Sequence, residues 1–272
     1  MLSLDDLLTL VEGPRAVEDL RAYYEPGRAP RRMPTYSGSR FEFLAGGGDR
    51  PDTANRITHE DLVAVTMLEV DVPGDVALAL LEGDLGLDVA GHLAEIPTDV
   101  PITDPLAPGL LGTGSHADAA WDILEEPHGM GWVITNKLLA RKRPQLIPVY
   151  DRVTRCAYGR PDGLWLWLVG LFAEDGGVLG ERLAAARKAA GLPDCVTDLR
   201  TLDVITWMRH HREHTQTNCA GLQLPQAQQS RTSTGPSPLH DRTDARSLGA
   251  LPDVGVPVDD VVASLEADRT ER

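Results

Sequence analysis

PHGMGWVITNKLLARKRPQLIPVYD, Pro127 to Asp151, is the stretch on which the fold of this chain turns. Gly129-Met130-Gly131 reads as a hairpin, because glycine accepts the backbone conformations that a tight turn imposes. Trp132, Ile134, Leu138 and Leu139 follow as the apolar positions of a helix, which the basic run Arg141-Lys142-Arg143 ends. The segment closes on Pro148-Val149-Tyr150-Asp151. The aspartate precedes the apolar-periodic Val153, Cys156 and Ala157, where a helix N-cap belongs.

Charge sets this stretch apart. From His128 to Arg160 there are seven basic residues, Lys137, Arg141, Lys142, Arg143, Arg152, Arg155 and Arg160, against the single acid Asp151. The seventy residues before it, Ile57 to Glu126, hold fifteen Asp and Glu and no Lys or Arg. A basic island behind an acidic tract is the place where a phosphate backbone is expected to bind. A net charge of −15 argues against broad affinity for nucleic acid or membranes, although screening over about 10 Å leaves room for a local basic site.

Cys156, Cys195 and Cys219 form no CxxC pair and are odd in number, which reads as reduced thiols in a cytoplasmic protein. MLSLDDLLTL carries acids where a signal peptide needs basic residues. The most apolar window, Leu164 to Phe172, has nine residues against the roughly 20 that span a bilayer, so it is expected in the core.

Working outward, Ser3 is expected to cap LDDLLTLVE, with a second helix from Ala16 to Tyr24. Thr58-x-x-Asp61 opens another as a capping box, followed by helices after Pro73 and over Leu87 to Ile96. Pro97 to Gly114 reads as a connector. Ser115 then caps HADAAWDILEE, and the hairpin passes the chain into Trp132–Ala140. Further helices are expected from Asp151 or Thr154, over Asp162–Ala173, Val178–Ala190 and Thr201–His211. The expectation is one all-α domain over residues 1–214, with an acidic half (1–114) and a hairpin-containing half (115–214). Residues 215–272 are rich in Gln, Ser, Thr, Pro and Asp and read as a disordered tail, because they bury too little apolar surface to offset their ordering entropy.

A helix, a Gly-x-Gly turn and a second helix suit a phosphate, since the glycines allow close approach and the second helix points free N–H groups outward. The same spacing serves an ordinary αα-hairpin. Arg28, Arg31, Arg32 and Arg40 lie among Tyr23, Tyr24, Tyr36 and Phe41, a mixture suited to stacking on bases or to pairing with the chain's own carboxylates. His210 and His214 are four apart, with Glu213 between them, but no third ligand is indicated, so neither metal nor cofactor is expected.

HGMGWVITNKLL resembles the helix-hairpin-helix of the helix-hairpin-helix DNA glycosylase superfamily, over about Trp121 to Gly159. In that family the hairpin grips DNA and a catalytic aspartate follows it. Asp151 stands twenty residues past Gly131 and likewise follows a Pro-Val, with Tyr150 intervening and Arg152-Val153 after it in place of Thr-His. The resemblance implies that Asp151 stabilises an oxocarbenium-like sugar and activates water at a flipped-out nucleotide. Val133 occupies the position where bifunctional members carry a lysine nucleophile, so the implied chemistry lacks a lyase step. More broadly, YSGSRFEFL, RITHEDLVAVTMLEVDVP, NKLLARKRPQLIPVYDRV and LDVITWMRHHRE are similar to an uncharacterised bacterial domain family of unknown function, over about residues 36–212. That similarity makes Tyr36 and Arg40 candidate edges of a site.

The leading expectation is therefore a DNA- or RNA-contacting protein. Asp151 is the candidate carboxylate, and Gly129, Gly131, Lys137, Arg141, Lys142, Arg143, Arg152 and Arg155 are the nucleic-acid contacts. The main alternative is an interaction module whose acidic surface and tail recruit a basic protein. A small-molecule enzyme with its pocket between the two halves is a third reading.

Overall fold

The computed structural model describes residues 1–29, 32–215, 219–222 and 224, and among these every regular element is helical. Local sequence sets most helix starts. Ser3 Oγ accepts from the Asp6 amide at the head of α1 (Leu4–Glu12), and Asp6 returns the bond to Ser3 N. Pro14 occupies the first turn of α2 (Pro14–Tyr24), where its missing N–H costs nothing. Thr58 and Asp61 form the capping box of α3 (His59–Thr66). The acidic half continues with α4 (Gly74–Glu82) and α5 (Asp84–Ala94). A short α6 (Ala107–Leu111), with Pro108 in its first turn, lies inside the stretch expected to be a plain connector.

Ser115 caps α7 (His116–Glu125), and the hairpin leads into α8 (Gly131–Lys142). Asp151 caps α9 (Arg152–Ala157). Then come α10 (Leu164–Ala173), α11 (Val178–Ala190) and α12 (Asp198–His210). α12 starts three residues earlier than its apolar pattern suggests, because Thr197 Oγ1 accepts from the Arg200 amide. Acidic and hairpin halves share one core, to which Leu7, Leu20, Val65, Leu93, Leu124, Leu138, Leu168, Leu183 and Val204 all contribute. α8 packs on α3 and α7, and α12 packs on α2, α9 and α11. The tail expectation for 215–272 falls outside the described residues except at 215, 219–222 and 224, and Arg31 lies outside them too.

One expectation is corrected. The basic run is not a surface: Lys137, Arg141, Lys142 and Arg143 are all buried. Asp61 receives two of them, with Lys142 Nζ 2.7 Å from Oδ2 and Arg141 Nε 3.2 Å from Oδ1. Arg141 also donates to the carbonyls of Phe41 and Leu44, fastening the loop before α3. Among the described residues Arg143 forms no ion pair with a carboxylate. Its guanidinium donates to the carbonyls of Leu93 and Ile96 at the end of α5, and to Ala54 O, Lys142 O and Asn55 Oδ1. A cation there adds a donor to Leu93 O, which already accepts from the Ile96 amide, and sits at the negative end of the α5 dipole. Burial pulls its pKa down to about 10.

Asp61→Ala leaves two buried cations without their shared carboxylate. The expected loss is about 3–5 kcal/mol, read from urea denaturation. A loss below about 1 kcal/mol would show that water already reaches this cluster.

Candidate functional site

The residues that remain accessible around the hairpin converge on a cleft. Asp151 forms its centre, and its two carboxylate oxygens divide the work. Oδ1 accepts from the amides of Val153 and Thr154 and so caps α9, while Thr154 Oγ1 accepts from Asp151 N. Oδ2 faces Lys137 Nζ at 3.9 Å. Lys137 comes up from α8 and spends one donor on the Leu68 carbonyl, 2.7 Å away. Burial lowers its pKa, with Asp151 opposing the shift.

Beneath this pair lies a narrow pocket of about 120 Å³, walled by Tyr23, Tyr36, Trp207 and Val149 with Arg200 and Asp203 behind. It shares Leu68, Glu69, Lys137, Asp151 and Trp207 with an outer groove of about 710 Å³ that runs past Gly129–Ile134, Arg152 and His211. Small-molecule sites occupy about 300–1,000 Å³. The aromatic wall is ordered by its own contacts. Trp207 and His211, four apart on one helix face, stack with centroids 3.9 Å apart and planes 2° from parallel. Tyr36 stands edge-on to Trp207 at 5.6 Å and stacks on Tyr23 at 5.3 Å.

Arg200 anchors the floor. It donates to Glu42, Asp203, Tyr23 Oη (2.8 Å) and the Gly38 carbonyl (3.1 Å). Burial alone pulls the guanidinium toward neutrality, and Glu42, the tyrosines and Asp203 more than reverse this, so it stays charged. Two buried carboxylates therefore share one cation. Burial pushes Asp203 up to about 7, with Arg200 opposing, and pushes the Tyr23 hydroxyl up to about 12.

A turn holding Gly129 links α7 to α8, and Gly131 is the first residue of α8. Gly129 and Gly131 are exposed at the outer groove with φ of 87° and 56°, where a side chain is strained. A Cβ on Gly129 would lie 2.9 Å from Pro73 Cγ, so this glycine has a packing role as well. Lys137, Asp151, Arg152 and Tyr36 reach the cleft. Arg40 instead lies over the Phe43 ring, and Arg155 lies over Trp132. Arg141, Lys142 and Arg143 are committed to the core. Asp203 and Trp207 were missed. Their four-residue spacing puts an acid and an indole on one face of α12, a signal legible in LDVITWM.

The structure also overturns the ground for expecting no metal ligands beyond two histidines. Cys156 and Cys219 lie beside His210 and His214.

Because the folded pKa of Asp203 lies above its unfolded value of about 4, folding takes up a proton between those limits. Its contribution to stability therefore declines as pH rises from about 4 through about 7 and is level above. Asp203→Asn is expected to flatten the pH dependence of unfolding free energy between pH 5 and 8 relative to wild type. Parallel profiles for the two proteins would contradict a titrating Asp203.

Among the described residues no helix is long and apolar enough to cross a membrane. No curated protein and no solved structure matches the chain. The helix-hairpin-helix glycosylase resemblance is supported by none of these comparisons. Residues 16–210, spanning the cleft, the buried basic run and almost all of α2 to α12, match the model of a family of unknown function (DUF6308), and the chain belongs to that family.

Proposed function

We propose that this protein binds a flat, polar heteroaromatic ligand of the nucleobase class in the Lys137–Asp151 cleft. The observation that carries the reading is the split carboxylate of Asp151. One oxygen is consumed by the cap and the other is held toward a lysine in an aromatic-walled pocket. Tyr36 and Trp207 offer ring faces and edges, and Lys137 and Asp151 offer a donor and an acceptor for a ring's polar edge. If the base is presented by a nucleic-acid strand, the hairpin glycines sit where the strand's backbone passes. Exposed Arg152, Arg155 and Arg160 are then the cations of that segment left to meet phosphates. Of the seven basic residues, four face inward, so polyanion affinity is expected to be small. Any excision chemistry would fall to Asp151 as the water-activating carboxylate.

A second reading draws on a different face. Val63, Leu78, Leu81 and Leu87 are exposed amid the acids of α3 to α5, a combination suited to a basic amphipathic partner.

Titration of nucleosides and short single strands, followed by tryptophan fluorescence, separates these readings. The cleft reading predicts saturable nucleoside binding that weakens at least about tenfold in Asp151→Asn, where asparagine keeps the cap and the fold. Strand binding should fall with salt with a log–log slope of only about −2, as for three phosphate contacts. Absence of nucleoside and strand binding up to millimolar concentrations would end this proposal and leave the acidic face as the functional surface.

A further inference from the structure

Four metal-ligating side chains meet at the end of α12. His210 is the last residue of that helix, and His214 follows it by four. Cys156 projects from α9, and Cys219 comes from the segment beyond Thr215. One ligand atom from each lies within 4.8 Å of all the others. Cys219 Sγ is 3.4 Å from His210 Nε2, and the two imidazole centroids are 5.4 Å apart at 61°. Cys156 and His210 are buried, and His214 and Cys219 are half-buried. All three cysteines are free of disulfides.

A separate observation points the same way. Among the described residues, Nδ1 of His210 and Nδ1 of His214 are buried without a hydrogen-bond partner, a state that costs free energy unless something else engages the rings. Gly221 also packs against this place. Gly221 adopts φ 81°, and a Cβ there would lie 3.2 Å from the Cys156 carbonyl oxygen.

We propose that Cys156, His210, His214 and Cys219 form a tetrahedral Cys2His2 zinc site. Two thiolates and two imidazoles are a donor set that favours zinc. Bond lengths of about 2.0–2.3 Å put ligand atoms about 3.3–3.8 Å apart in a tetrahedron, so the cluster closes with shifts of about an ångström. Binding releases the proton of each thiol to solvent and leaves the metal unchanged in oxidation state. With four protein ligands no coordination position stays open, which makes the site structural. It fastens the segment around Cys219 to α9 and α12, the helices that carry the Asp151 cap and the Asp203–Trp207 face. This inference stands independently of any ligand in the cleft.

The test is metal analysis of the untagged full chain purified under reducing conditions without chelator, followed by cobalt(II) substitution of the stripped protein. About one zinc per chain is expected, together with the visible absorption of tetrahedral cobalt and a near-ultraviolet thiolate–cobalt band. His214→Ala and Cys219→Ser should abolish stoichiometric loading. Cys195→Ser, which alters the exposed cysteine outside the cluster, should retain it. Wild-type protein that neither carries zinc nor develops the cobalt spectrum would overturn the site, and so would full loading of Cys219→Ser. The wild-type measurements decide the matter even if a variant fails to fold.

Discussion

Everything in this fold leans on a cluster of charge taken out of water. Asp61 closes the capping box of α3, receives Lys142 and Arg141 from the end of α8, and is itself almost wholly buried. Arg143, next in the chain, holds the C-terminal carbonyls of α5 together with the Ala54 carbonyl. Three consecutive basic side chains thus tie α8 to α3, to α5 and to the loop around Phe41 and Leu44. Buried charges are costly unless paired and hydrogen-bonded, so each of these groups fixes the position of its partner. The acidic tract and the basic island, opposite in sign and separate in sequence, meet partly in the interior.

That arrangement aims the cleft. With the end of α8 fastened, the middle of the helix presents Lys137 to Leu68 O and Asp151 Oδ2. α12 is fastened in turn by Arg200, which reaches Glu42, Tyr23 and the Gly38 carbonyl, and it carries Asp203 and Trp207 to the opposite wall. The site therefore stands between helices that are each pinned by an internal arginine.

How much of this was legible in the sequence follows range of interaction. Ser3, Thr58, Ser115 and Asp151 act within three residues of themselves, and the helices they cap were readable from one sequence. The capping role of Asp151 was readable for the same reason. The burial of Arg141-Lys142-Arg143 was not. A basic run at a helix end looks alike whether water or Asp61, eighty residues away, receives it. Long-range packing likewise brought Cys156 to His210 and His214, more than fifty residues further on, and no local spacing announces that meeting, whereas Cys219 follows His214 by only five residues. Asp203 and Trp207 occupy the intermediate case, visible as an i, i+4 pair but lacking any local sign that they face a cleft.

The most direct measurement of the central claim uses the lysines, of which the chain has three, Lys137, Lys142 and Lys188. Amine acylation of the folded protein, read residue by residue by mass spectrometry, should modify the exposed Lys188 and the amino terminus. Lys142, held by Asp61, should stay unreactive until the chain unfolds. Acylation of Lys142 in the native state at a rate comparable to Lys188 would contradict the buried Asp61 cluster and return the basic run to the surface.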